Sequence, residues 1–245
     1  MISYLFNEIF FKPLFNGLMF LYNTVPGYDM GLSIIILTVI IRLILWPLNS
    51  KSIKNQKLLA ELQPKIDEIR KQFKNDKETQ AKALMNVYKE NKINPLAGFL
   101  PIVIQIPIII ALYRVFLNSS NIDASFLYSF IQMPTTVHVI FLGLVDLTKK
   151  SLVLAILSGV LQYFQTKMIL SGSKGISQGT SNFGRIMSQQ MLYFGPIISI
   201  VIFGSLPAAL PLYWIVVTLM TLIQQYFVQK NQRGNVYDRR ENNKN

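Results

Sequence analysis

The chain has 245 residues, of which 51% are hydrophobic and 15% charged, with a formal net charge of +12 and no cysteine; its mean hydropathy is +0.36. That balance belongs to membrane proteins and gives no ground for a separate soluble domain. Without cysteine there is no disulfide framework, no thiolate nucleophile, no Cys-ligated metal and no lipid-modified N-terminal cysteine.

Residues 1–29 begin MISYLFNEIFFKPLFNGLMFLYNT, apolar but carrying Glu8, Lys12 and Pro13. A secretory leader opens with basic residues and closes with small ones, and this segment does neither. It is expected to be an amphipathic helix in the membrane interface on the external side, Pro13 arguing against a straight span.

The turn Pro26-Gly27-Tyr28-Asp29 leads into the first expected span, residues 30–48, whose stretch GLSIIILTVIIRLILWPL holds a single charge, Arg42. Its length suits the hydrocarbon core of a bilayer, and Pro47 and Asn49 close it. At 1.5 Å per residue Arg42 lies roughly 9 Å inside one end. A guanidinium at mid-span costs about 2.5 to 3.5 kcal/mol on insertion scales. Either the side chain snorkels to the nearer interface, or it faces a water-filled cavity where it meets a ligand or substrate. Thr38, one turn earlier on the same face, favours the cavity.

Residues 49–95 change character, with eleven basic and six acidic residues between positions 51 and 92. Leu62, Ile66, Ile69 and Phe73 recur at spacings of 4, 3 and 4, and Ala81, Leu84 and Tyr88 at 3 and 4, on either side of Asn75-Asp76-Lys77. These are two coiled-coil seams joined by a polar turn, which predicts a helical hairpin in water. It reads either as a solvated spacer or as a docking arm for another protein.

The second expected span, 96–117, contains Pro101 and Pro107 with Gln105 between them. Prolines at membrane depth free backbone carbonyls that neighbouring helices or water must satisfy. Residues 118–150 are expected to be an external loop with interfacial helices, holding His138, the only histidine. The third span is 151–170, with Gln162 and Gln165 near its end. A Gly/Ser-rich cytoplasmic loop, 171–189, precedes the fourth span at 190–206 and the fifth at 208–228, joined by a tight turn near Pro207. The tail, 229–245, carries five basic residues against two acids and is expected to be disordered.

Five spans put the chain ends on opposite sides of the membrane. The segments sharing one side hold 19 of the 24 basic residues, so the positive-inside rule makes that side the cytoplasm and leaves the N-terminus outside. The basic surface suits anionic lipid headgroups or a ribosome's RNA, although topology by itself accounts for most of it.

Catalytic constellations are missing. No span contains Asp or Glu, HExxH and GxxxxGK[ST] do not occur, and one histidine makes no metal site. Neither an enzyme nor a cofactor is expected. The intramembrane polar set is Thr38, Arg42, Gln105, Gln162 and Gln165, with Tyr213 and Trp214 in the fifth span, and it suits binding better than bond-breaking.

The stretches GLSIIILTVIIRLILWPL, LQPKIDEIRKQF, YKENKINPLAGFLPIVIQIPIIIALYRV, LQYFQTKM and LPLYWIVVTLMTLIQQYF resemble, in that order, the YidC family of membrane protein insertases, in its short form without a large external domain. The resemblance covers about Phe11 to Phe227. It implies an all-α polytopic protein: five transmembrane helices around a hydrophilic groove open to the cytoplasm and to lipid, plus a cytoplasmic helical hairpin. Carried over by position, Arg42, Thr38, Gln165 and Trp214 match groove-facing residues, and Gln105 lies in a matching motif. The implied location is the plasma membrane of a bacterium. The implied partners are newly made membrane proteins, membrane lipids and a ribosome met through the tail and hairpin, with a general translocon and a targeting receptor as further candidates. The rival reading is a channel or transporter using Arg42 as an anion site, but neither inverted repeats nor paired broken helices are visible.

Overall fold

The computed structural model describes residues 2–94, 100–117, 124–132, 134, 136–171 and 182–242. The start of the second expected span at 96–99, most of the Gly/Ser-rich loop and the last three residues lie outside the described residues. The elements in order are α1 (Ile2–Phe6), a π-helical turn (Asn7–Phe11), α2 (Lys12–Thr24), α3 (Met30–Ile44), α4 (Trp46–Gln72), α5 (Lys77–Glu90), α6 (Leu100–Leu117), a 3-10 turn (Ala124–Phe126), β1 (Ile140–Phe141), β2 (Val145–Asp146), α7 (Leu152–Ser171), α8 (Asn182–Ser205) and α9 (Ala209–Asn242). They form two compact units, one of residues 1–45, 102–162 and 196–220, the other of 46–101, 163–195 and 221–245.

The first unit has a continuous apolar core. Phe15, Leu18, Met19 and Tyr22 form the buried face of α2 and pack with Ile34 of α3, Ile108 and Leu112 of α6, Ala155 of α7 and Leu210, Tyr213 and Val217 of α9. The expected interfacial helix is therefore helical, with one face sunk into the core while Tyr4, Leu5, Ile9 and Phe20 remain exposed. Pro13 stands in the first turn of α2, just after the π-helical turn, where its missing N–H is most easily tolerated. Buried Asn16 fastens this helix to the loop that follows α6, donating to Phe126 O at 2.7 Å and accepting from Tyr128 N at 2.7 Å.

Helix α3 starts at Asp29, whose Oδ1 accepts from Gly31 N at 2.7 Å and Leu32 N at 3.1 Å, satisfying two of the donors that a helix start leaves open. It ends at Ile44, with a break at Leu45. Pro47, expected to close the span, instead occupies the second position of α4, where proline's fixed φ favours helix initiation.

Among the described residues two helices have the length and composition to cross a membrane unaided, Leu152–Leu170 and Ala209–Lys230; Met30–Ile44 does so only together with Trp46–Leu59. The other two expected spans contribute shorter apolar helices, Val103–Val115 and Leu192–Ser205. Only 17% of the apolar stretch of α7 is buried against 56% of that of α9, so α9 is the more enclosed helix and α7 presents Val153, Ile156, Val160 and Phe164 outward. An apolar exterior on a long helix is what a lipid solvent requires. Gly159 allows close approach of α7 and α8: a Cβ there would lie 2.4 Å from Ile200 Cγ1 and 3.0 Å from Pro196 O.

Two expectations, for residues 118–150 and for the tail, are corrected. Within 118–150 the described residues hold a two-stranded hairpin, Ile140 opposite Asp146 and Phe141 opposite Val145, where interfacial helices were expected. Strands this short carry too little alternation to be read from sequence. The tail expected to be disordered continues α9 to Asn242, because nothing in its sequence breaks the helix at Gln229.

In the second unit α4 and α5 make the expected hairpin. Asp76 caps α5, accepting from Thr79 N at 3.0 Å and Thr79 Oγ1 at 2.6 Å, and the Thr79 hydroxyl foremost holds its carboxyl below the ordinary range. Ile66 and Val87 are buried, whereas Ala81 is exposed. The α5 seam therefore runs along Leu84, Val87 and Tyr88 instead of through Ala81. In the same unit, Gln224 of α9 donates to Trp46 O at 2.6 Å and Ser50 Oγ at 2.7 Å.

Candidate functional site: the polar cluster around Arg42

The first unit gathers most of the polar residues of the apolar helices. Arg42 is near the C-terminal end of α3, half-buried, and its Nη2 donates to Gln105 Oε1 of α6 at 3.3 Å. Gln105 in turn donates through Nε2 to the hydroxyl oxygen of Tyr213 on α9. One amide thus joins three helices, its oxygen facing the cation and its NH₂ facing the phenol. Tyr213 is buried and retains its own proton for donation.

Among the described residues no carboxylate lies within 4.0 Å of Arg42. The side chain is held in place by a neutral partner, which fixes its position without cancelling its charge. A guanidinium has five N–H donors, and among the described residues this one spends a single bond. The remainder suits an anionic or strongly polar group arriving from outside the chain.

Thr38 is on the same helix face one turn away, and its hydroxyl donates to Ile34 O at 2.6 Å. At 3% exposure it is bound into its own helix, a common way for a threonine at membrane depth to satisfy its hydroxyl. Trp214, next to Tyr213, is half-buried; its Nε1 donates to Gln162 Oε1 of α7 at 3.3 Å and its ring packs against Phe203 of α8 at 5.4 Å. Successive residues on a helix point about 100° apart, so α9 serves Gln105 with one aromatic and Gln162 with the next. Gln165 is on the part of α7 that belongs to the second unit, half-buried.

The structure therefore brings Arg42 and Gln105 together directly, links them to Tyr213, and gives Trp214 a separate pairing with Gln162. Three polar groups of α9 escaped the sequence reading. Thr218 and Gln225 are buried with Oγ1 and Oε1 unpartnered among the described residues, and Gln224 is 2% exposed. Their signal in the sequence is only that of polar residues in an apolar helix. No cluster of His, Cys, Asp or Glu able to hold a metal occurs among the described residues.

Comparison with known proteins adds lineage to this geometry. The family described as 60Kd inner membrane protein matches residues 20–235. A protein of Fusobacterium nucleatum named membrane protein insertase YidC is 37% identical over 217 residues, which is 87% of this chain and 93% of that relative. Proteins of the same name from Citrifermentans bemidjiense and Geobacter sulfurreducens are each 34% identical over about nine-tenths of this chain. The chain spans only 36% and 37% of the length of those two.

Proposed function

Because this chain belongs to the YidC, or 60Kd inner membrane protein, family, we propose that it is a bacterial plasma-membrane insertase: it receives short hydrophobic segments with polar tails and releases them into the bilayer. The observation that carries the reading is Arg42, steadied by Gln105 and without a carboxylate partner among the described residues. In the proposed arrangement five helices, the bent or short ones included, enclose a hydrated groove open to the cytoplasm, with the N-terminus outside.

The mechanism follows from costs. A polar tail crossing hydrocarbon leaves backbone groups unsatisfied at several kcal/mol each, and a wet groove shortens that dry path. Arg42 draws an acidic or polar tail inward. The apolar segment then slides into lipid past α7 and α9, driven by about 25 cal/mol per Å² of apolar surface removed from water. A membrane potential positive outside assists an acidic tail by about 2.3 kcal/mol per charge per 100 mV. No covalent step is involved.

Gln165, Thr38 and Trp214 complete the proposed groove lining. The ribosome is a proposed partner, through the hairpin and the basic end of α9; removal of residues 230–245 is expected to lower co-sedimentation with ribosomes at low salt, and unchanged co-sedimentation would remove that partner. A general translocon and a targeting receptor are proposed helpers on family grounds alone. The insertase reading is tested by depleting the protein from its own cells and following membrane-protein insertion. Loss of insertion for short, polar-tailed proteins supports it; normal insertion of every protein together with altered ion or solute flux would replace it with a channel.

A further inference from the structure

The hairpin of β1 and β2 has an inside and an outside. Phe141 and Val145 face inward, packed against the core of the first unit, and Phe141 lies so near Gly31 that a Cβ there would fall 2.1 Å from its ring. Ile140, Leu142 and Leu144 face outward, exposed by 53%, 58% and 84%. Leu142 adopts φ +51°, the left-handed region that asparagine or glycine occupies far more readily than a branched apolar side chain. A strained backbone that presents leucine instead of a turn-forming residue points to a use for that side chain.

The height of this tip is fixed by the ends of two long apolar helices. Leu142 N donates to Asp29 Oδ2 at 2.7 Å, and the other oxygen of the same carboxylate caps α3. Behind the second strand, Ala208 N donates to Lys149 O at 2.7 Å and Ala209 N to Leu147 O at 3.1 Å, fastening the loop to the start of α9. Leu142 and Leu144 are therefore held at the level where α3 and α9 begin, which is where hydrocarbon gives way to headgroups if those helices span. Past the base of the second strand, the exposed Lys150, bridged to Pro207, adds a cation to the same loop, and an apolar tip on a loop with an exposed cation suits a phospholipid surface.

We propose that the hairpin of residues 140–146 is an interfacial anchor whose tip, Leu142 and Leu144, inserts into the lipid leaflet at the N-terminal ends of α3 and α9, the external leaflet in the topology above. The inference rests on the membrane-spanning reading of those helices and is independent of what the Arg42 cluster does. The anchor holds the external loop against the bilayer while its two ties keep the starts of α3 and α9 in register.

The absence of native cysteine makes the test direct. Leu144→Cys, Ile40→Cys on the exposed side of α3 and Lys82→Cys on the hairpin helix α5 are each made in the full chain and labelled with a small environment-sensitive fluorophore. Each is reconstituted alone into phosphatidylcholine–phosphatidylglycerol vesicles. The label at 144 is expected to emit at shorter wavelength than at 82, to be quenched by shallow nitroxide lipids and to be roughly tenfold less accessible to iodide. As a check free of the fluorophore, thiol modification of Leu144→Cys by a water-soluble maleimide should be slowed by vesicles relative to denatured protein. Iodide quenching at 144 equal to that at 82, with nitroxide quenching retained at 40, overturns the anchor and leaves the spanning reading intact. Aqueous behaviour at both 144 and 40 overturns both.

Discussion

Arg42 and Gln105, 63 positions apart in the chain, meet side chain to side chain at 3.3 Å. The partner is an amide oxygen, so the guanidinium is positioned without a countercharge. A carboxylate in that place would position it equally well and cancel the field that a substrate tail is proposed to feel.

Gln105→Glu should therefore impair insertion of acidic-tailed substrates nearly as much as removal of Arg42, while preserving the protein's abundance. The attraction between unit charges about 4 Å apart is on the order of 4 kcal/mol at an effective dielectric of about 20, enough to compete with an incoming tail. An in vitro insertion assay comparing acidic and neutral tails checks it. Equal performance of the variant and the natural protein on acidic tails would mean that the uncancelled charge is unimportant.

Gly159 sits where an added methyl would meet Ile200 and the carbonyl of Pro196. Gly159→Ala is expected to lower stability by about 1 to 3 kcal/mol, the usual scale of overpacking. Ile200→Ala in the same chain should restore part of the loss. Thermal unfolding of the three variants in one detergent is the measurement, and a Gly159→Ala protein as stable as the parent would refute the close packing of α7 on α8.

The α4–α5 hairpin separates two registers. Val87→Asp and Ile66→Asp should each sharply increase cleavage of residues 49–94 by protease, since both side chains are buried, whereas Ala81→Asp should leave cleavage unchanged. Sensitivity at Ala81 matching that at Val87 would restore the seam that sequence spacing suggests.

In the loop that follows β2, the Thr148 hydroxyl and then the Lys149 ammonium hold the Asp146 carboxyl down at about 2, from an ordinary 3.8. The folded value is the lower one, so the stabilisation is fully present above about pH 4 and fades as pH falls toward 2. Thr148→Val should move the carboxyl back toward its ordinary range. A carbon-13 titration of Asp146 in the full chain reads this, and an unchanged midpoint in the variant would show that the hydroxyl is not the main cause.

Much of this architecture was legible because lipid imposes simple rules. Long apolar runs gave the positions of α3, α6, α7, α8 and α9, and heptad spacing gave the α4–α5 hairpin. The break at Leu45 was hidden inside an unbroken apolar run, where Pro47 reads equally well as a stop for one helix or a start for the next. The α5 seam slipped because Ala81-Leu84-Tyr88 and Leu84-Val87-Tyr88 satisfy the same periodicity, and only packing chooses between them. Of the candidate site, polarity in an apolar setting singled out Thr38, Arg42, Gln105, Gln162 and Gln165, with Tyr213 and Trp214. What it could not reveal was the pairing, Arg42 to Gln105 to Tyr213 and Trp214 to Gln162, which depends on which helices pack together. Gln224 was missed because a glutamine near the end of a span reads as an ordinary interfacial residue.

The central claim is that Arg42 recruits substrate tails by charge, and it is tested most directly by one reporter whose tail is made acidic, neutral or basic, inserted by protein carrying Arg42, Arg42→Lys, Arg42→Ala or Arg42→Glu at matched abundance. Lysine should largely preserve insertion, because a point charge suffices where no planar fork is demanded. Alanine should impair the acidic tail most and the neutral tail less, and glutamate should be worse still for the acidic tail. Insertion that responds identically to tail charge in all four proteins would contradict electrostatic recruitment and leave Arg42 only a means of keeping the site hydrated.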